Sequence, residues 1–156
     1  MTFRKATTKD INAINKLFRE LDTVSINAQP EHFQSWEGRS YEYLSDFVND
    51  DKSDFILAIA DGDIVGFSLI LERATADIGL LVPCKFAYIQ DFVVAEEYRS
   101  KGIGSALMEQ SKQWAQERNL DCLRLSVLAE NKDAQRFYKR HGLREHMINM
   151  ECPLHS

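Results

Sequence analysis

DFVVAEEYRSKGIGS, residues 91–105, carries an apolar strand through a basic turn into a glycine-bearing helix start. Arg99, Ser100, Lys101, Gly102 and Gly104 form a turn whose backbone N–H groups are unshielded just where a helix begins. The first amides of a helix lack intrahelical acceptors and sit at the positive end of its dipole, so an anion placed there meets several aligned donors. Gly102 and Gly104 have no Cβ and let ligand oxygens approach the main chain. Arg99 and Lys101 add positive charge, and an arginine can hold a phosphate through two parallel bonds. A GxG in a basic turn is also a common way to begin a helix, so the flanking sequence has to decide.

Upstream, residues 86–94 (FAYIQDFVV) are rich in β-branched and aromatic side chains and read as a strand. Downstream, Ile103, Ala106, Leu107 and Trp114 share one face of a helix of about four turns, packed on a sheet. Glu109, Lys112, Gln113, Gln116 and Glu117 fall mostly on its other face. Residues 122–128 (CLRLSVL) read as a second strand with Leu123, Leu125 and Val127 on one side. In residues 129–143 (AENKDAQRFYKRHGL), Asn131 is placed as an N-cap and Gly142 as a C′ residue. Ala134, Phe137 and Tyr138 fall at i, i+3 and i+4 between them. The unit is strand, anion turn, helix, strand, helix.

Two motifs in this order resemble the GCN5-related N-acetyltransferase (GNAT) superfamily, whose members move an acyl group from acyl-coenzyme A to an amine. Its Q/R-x-x-G-x-G/A loop is matched by Arg99-Ser100-Lys101-Gly102-Ile103-Gly104. Its N-x-x-A-x-x-F-Y-x-x-x-G segment is matched by Asn131, Ala134, Phe137, Tyr138 and Gly142. The resemblance covers residues 84–150 well and the first 75 residues by pattern only. It implies an α+β fold with a mixed, mostly antiparallel twisted sheet of about six to seven strands and about four helices. In that fold two central strands splay beside a β-bulge, and the pantetheine arm enters the gap as a pseudo-strand.

The same resemblance implies acetyl-CoA as acyl donor. Arg99, Ser100, Lys101, Gly102, Ile103, Gly104 and Ser105 would then face its diphosphate, the backbones of Phe92, Val93 and Val94 its pantetheine amides, and the Asn131 side chain would add a further bond. It implies direct attack of a neutral amine on the thioester in a ternary complex, with Tyr138 protonating the departing sulfur. A phenol of pKa about 10 facing a thiol of about 8.5 makes that transfer uphill by roughly 2 kcal/mol, unless the site assists. Without the resemblance, Phe137 and Tyr138 read as an aromatic core pair, and Asn131 as a cap alone. The oxyanion donor is expected to be a backbone N–H freed by a bulge near Phe92 or Val93.

The base stays open. Many relatives carry a glutamate where this chain has Gln90, which cannot take a proton. Asp91 follows, but strand alternation turns it to the opposite face unless a bulge intervenes. Glu72, Glu130, His32 and a water chain are the other routes for the proton. The acceptor is expected to meet residues 23–40 and 74–83, with Phe33 and Trp36 lining an amine pocket or packing on the core. The rival readings are a non-catalytic acyl-CoA sensor and a Rossmann-type nucleotide enzyme using Glu130 on a ribose. In the Rossmann fingerprint the third glycine would fall on Leu107, and the turn comes late in the chain.

The 156 residues, 44% apolar and 28% charged, suit one domain, and no repeat or linker divides them. A net charge of −5 without a basic face argues against nucleic acid as a partner. A small-molecule amine or a protein amino group is the expected acceptor, with a homodimer compatible and no metal ligands singled out. Cys84, Cys122 and Cys152 form no close pair in sequence and read as core or edge thiols. No secretory apolar stretch opens the chain and no segment approaches a bilayer span, so a reducing cytosol is expected.

Residues 2–6 read as a first strand, and Thr8 or Asp10 as the cap of a helix ending near Asp22. Residues 23–40 read as loop or short helix, and residues 41–49 as a helix. Residues 55–60 and 64–71 read as a hairpin about Asp61-Gly62, and residues 143–151 as a final strand.

Overall fold

Asp61 and Gly62 have φ of 53° and 80°, the paired left-handed backbone whose twist matches that of the strands it joins. They connect β2 (Ser53–Ala60) to β3 (Asp63–Ala74) in a computed structural model that describes residues 1–155. Antiparallel neighbours extend this hairpin on both sides, β1 (Thr2–Lys5) beside β2 and β4 (Lys85–Val94) beside β3. The last strand, β5 (Cys122–Leu125), runs parallel to β4 after a crossover through α3 (Ile103–Glu117). The sheet is therefore five-stranded and mixed, in the order β1-β2-β3-β4-β5.

Helices cover both faces. On one, Ile14, Leu17 and Phe18 of α1 (Ile11–Ala28) and Leu44 of α2 (Tyr41–Asn49) close over Phe55, Phe67, Leu69 and Val93. On the other, Leu107, Met108 and Trp114 of α3 pack on Ile70, Ala87 and Ile89, joined by Phe137 and Tyr138 of α4 (Lys132–Arg140). This α+β arrangement excludes the Rossmann reading, which needs a parallel sheet.

Three expectations are corrected. Among the described residues the sheet has five strands, not six or seven, because residues 143–151 join no strand and none of them pairs with the outer edge of β5. The strand from Cys122 stops at Leu125, because β4 has no residue paired beyond Ile89↔Leu125 to hold it. The first helix runs on to Ala28 rather than ending at Asp22. There Thr23 and Ser25 donate to the carbonyls of Arg19 and Leu21, which satisfies hydroxyls that would otherwise compete with the helix. Its N-cap is Asp10, one of the two expected, and the 3₁₀ turn just before it (Thr8–Asp10) is closed by a capping box between Thr7 and Asp10.

Candidate active site

Between β3 and β4 the register shifts, with Leu69 opposite Asp91 and Ile70 opposite Ile89. Gln90 therefore has no partner and forms a β-bulge, two residues before the expected Phe92 or Val93. Past Ile89 and Leu125 the parallel strands β4 and β5 part, so one edge of the backbone from Gln90 to Val94 carries no ladder partner. The opening is a cleft of about 200 Å³. Its walls are β4 and the chain beyond β5, with Asn131 at the N-cap of α4, Tyr138 of α4, and Leu21, Val24 and Ser25 of α1.

The basic turn lies at the end of β4. Ser100 and Gly102 take φ of 64° and 82°, and Gly102 caps α3 with no side chain bonded to the first-turn amides. Among the described residues, no acceptor takes the backbone N–H groups of Ser100 to Ser105. The Arg99 Nε donates to the Val94 carbonyl at 2.9 Å, fixing its stem, and Lys101 Nζ lies 5.2 Å from the Tyr98 ring centroid. Ile103 is buried, so it offers only its amide; Ser105 Oγ shares a 3.0 Å hydrogen bond with His141 Nε2 and likewise has its main chain free. Gly104 is where α3 approaches α4, since a Cβ there would sit 3.3 Å from the Phe137 ring.

Phe92, Val93 and Val94 face different ways. The Phe92 ring packs against Phe137 and Tyr138 at centroid distances of 5.8 and 6.3 Å, while Val93 is buried in the α1 core. Val94 packs with the smaller cluster around Ala58 and Val65. The Asn131 Oδ1 accepts from the Ala134 amide at 3.2 Å, which uses its oxygen as a cap and leaves its NH₂ group toward the cleft. Tyr138 lines the cleft without a hydrogen-bond partner among the described residues, and burial pushes its phenol up to about 12.

The bulge also decides the position of Asp91. Gln90 Nε2 reaches the Tyr43 hydroxyl of α2 at 3.2 Å, and Asp91 lies near Arg39 and Asp22, so both residues face the α1–α2 side of the sheet. Alternation without the bulge would have separated them. Asp91 is half-buried and its carboxyl is raised to about 6, chiefly by desolvation, with the Arg39 guanidinium pulling it down and Asp22 pushing it up. Arg39 itself is held by an ion pair to Asp22 and by the Phe18 ring 4.0 Å from its guanidinium carbon.

Several expected residues do not reach the cleft. Phe33 and Trp36 are exposed, and Trp36 stacks on Arg39 at 4.9 Å rather than lining a pocket. Glu72 sits in β3 opposite Ala87, Glu130 accepts from Gln29, and His32 bonds Glu151. No residue of 74–83 lines the cleft. The thiols without a sequence neighbour do meet: Cys84 and Cys122 lie 3.9 Å apart at the foot of β5. Of the expected residues 23–40, Val24 and Ser25 line the cleft, joined by Leu21, which was not expected there; the three fall at i, i+3 and i+4 and continue the Ile14, Leu17, Phe18 stripe.

A strand fork beside a run of free amides, with a phenol and a carboxyl on its walls, is an arrangement that an acyltransferase can use. The chain belongs to the Acetyltransferase (GNAT) family, whose profile matches residues 21–143. An uncharacterized N-acetyltransferase of Archaeoglobus fulgidus is 33% identical over 102 residues, 65% of this chain and 67% of that one. A crystal structure of a tetramutant of the BH1408 protein from Bacillus halodurans superimposes with a TM-score of 0.94 at 26% identity, covering 99% of this chain and all of that one (100%). An aminoglycoside N-acetyltransferase, AAC(6')-Iy in complex with CoA, has the same fold at a TM-score of 0.74 and 14% identity, covering 99% and 100%. Among the described residues, no helix is long and apolar enough to cross a membrane.

Proposed function

We propose that the chain transfers an acetyl group from acetyl-CoA to a primary amine of a small molecule, by direct attack within a ternary complex. The observation that carries this is the fork of β4 and β5, whose single cleft is lined by both Asp91 and Tyr138. Acetyl-CoA as donor is supported by the free amides of Ser100 to Ser105 and by the CoA complex of the aminoglycoside acetyltransferase that shares the fold. The half-open backbone of Phe92 to Val94 suits the pantetheine amides, which need partners in the same spacing as a strand.

Asp91 is the base. At pH 7 a carboxyl of pKa about 6 is mostly ionised, yet basic enough to take a proton from the ammonium created when the amine nitrogen bonds the carbonyl carbon. The oxyanion formed in that step is stabilised by a main-chain N–H along the unpaired edge of β4. As the C–S bond breaks, the Tyr138 hydroxyl gives its proton to the sulfur, and Asp91 has already taken one from nitrogen, so the products are neutral amide and thiol. Gln90, whose amide cannot take a proton, donates instead to the Tyr43 hydroxyl. A small amine is favoured as acceptor because the cleft near Asp91 is walled by α1 rather than open as a groove for a chain. A reducing cytosol suits the three free thiols.

The experiment is a free-thiol release assay with acetyl-CoA over a panel of amines, alongside calorimetric titration with CoA and NAD. Thiol release that depends on one class of amine is expected; binding of NAD without CoA would eliminate the reading. A companion prediction concerns Gly104→Val. Its side chain must displace Phe137, so CoA affinity is expected to fall about tenfold while kcat at saturation changes less than threefold. Calorimetry and saturation kinetics separate the two effects.

A further inference from the structure

We infer that the acceptor is a primary monoamine with an uncharged, apolar body, alkyl or arylalkyl, selected by Leu21 and Val24 of α1; this rests on the reading that the cleft brings an amine to a thioester. Among the described residues that line the cleft, Asp91 is the one charged side chain. On the α1 wall it is joined by Leu21, Val24 and Ser25, two aliphatic side chains and a hydroxyl. That hydroxyl already donates to the Leu21 carbonyl at 3.4 Å, so its one donor is spent. Gln90, on the same side of the sheet, likewise has its amide nitrogen on the Tyr43 hydroxyl at 3.2 Å.

The nearest other charges are closed on one another. Asp22, next to Leu21 on α1, is paired with Arg39, and the two side chains are only 22% and 15% exposed. The Arg39 guanidinium is covered further by the Phe18 ring at 4.0 Å and the Trp36 ring at 4.9 Å. A carboxylate on the acceptor would have to draw Arg39 away from Asp22, and a second ammonium would have to draw Asp22 away from Arg39. Either exchange strands a half-buried charge without its partner.

The balance therefore depends on what the far end of the acceptor carries. A second charge would leave water for aliphatic walls that offer it no partner, whereas a methyl or aryl group gains by the same transfer. Desolvation is already felt at the reacting end, where it raises the Asp91 carboxyl to about 6. The cleft holds about 200 Å³, which the thioester shares, so the body is short. Leu21 and Val24 stand one helical turn apart and present their side chains side by side to it.

The test is kcat/KM with acetyl-CoA for n-butylamine, putrescine and γ-aminobutyrate, which share a carbon chain and differ at its far end, with phenethylamine as the aromatic body. The two monoamines are expected to exceed putrescine and γ-aminobutyrate by about tenfold or more. Val24→Asp puts a second carboxylate on the α1 wall, so putrescine should gain on n-butylamine by about tenfold. Val24→Asn, of the same shape without the charge, should leave that ratio within about twofold, with circular dichroism checking the fold of both variants. Putrescine or γ-aminobutyrate as the better substrate of the unaltered protein would overturn the inference while leaving the acetyltransferase reading in place. A ratio that a folded Val24→Asp leaves unmoved would overturn it too. No turnover of any of these amines by protein that binds CoA would remove that reading itself, and this inference with it.

Discussion

Asp91→Asn is expected to lower kcat/KM by about a hundredfold or more, the usual contribution of a general base, while making the protein more stable. The two effects have one cause. Desolvation raises the Asp91 carboxyl to about 6 from its ordinary 3.8, so the folded protein binds that proton more tightly than the unfolded chain. Between those two values the folded state holds more protons, and stability falls as pH rises through the window. Above it the full cost of a half-buried carboxylate is present, at most about 3 kcal/mol. Removing the charge recovers part of that cost, and Tm at pH 7 should rise by about 5 °C. At pH 4 the gain should vanish, since Asp91 is then protonated in the folded protein.

The activity of the unaltered enzyme should show the matching limb. The base must be ionised, so below pH 6 kcat/KM should gain an extra fall of about tenfold per unit, added to the slope that deprotonation of the attacking amine gives up to the amine's own pKa. In Asp91→Asn the limb should disappear. A variant that loses both activity and stability, with the acid limb retained, would mean that Asp91 supports the fold and that another group takes the proton.

Tyr138→Phe is expected to lower kcat by ten- to a hundredfold with CoA affinity unchanged within about twofold. The phenol oxygen has no protein partner among the described residues, so its removal orphans no buried group, and a phenylalanine keeps the packing on Phe92 and Phe137. With the phenol at about 12, full transfer to a free thiolate of about 8.5 would be uphill by roughly 5 kcal/mol. The proton must therefore move as the C–S bond opens. Equal loss of kcat and CoA affinity would reassign Tyr138 to packing.

Much of this architecture is legible in the sequence because it is local. The Asp61-Gly62 turn needs two left-handed residues, and the amphipathic stripe after Gly102 has only one way to face a sheet. The two motifs likewise fix α3 and α4, and with them the side of the cleft that holds Tyr138 and Asn131. What stayed hidden depends on contacts far apart in the chain. Whether Asp91 or Gln90 faces the acceptor side turns on one bulged residue, and a bulge is set by the register of β4 against β3 rather than by β4 alone. Whether α1 stops at Asp22 or lines the cleft through Ser25 turns on hydroxyl-to-carbonyl bonds that hold a stretch with poor helix propensity. Residues 143–151 have the pattern of a strand but no in-chain partner, and a pattern cannot report whether a partner exists.

The measurement that bears most directly on the account is the backbone amide spectrum of the isotope-labelled protein during titration with CoA. The account predicts saturable shifts concentrated at residues 90–94 and 100–105 and at Asn131, with the N-terminal strand β1 unmoved. Binding of CoA that leaves the amides of residues 100–105 unperturbed, or no binding at all, would contradict it.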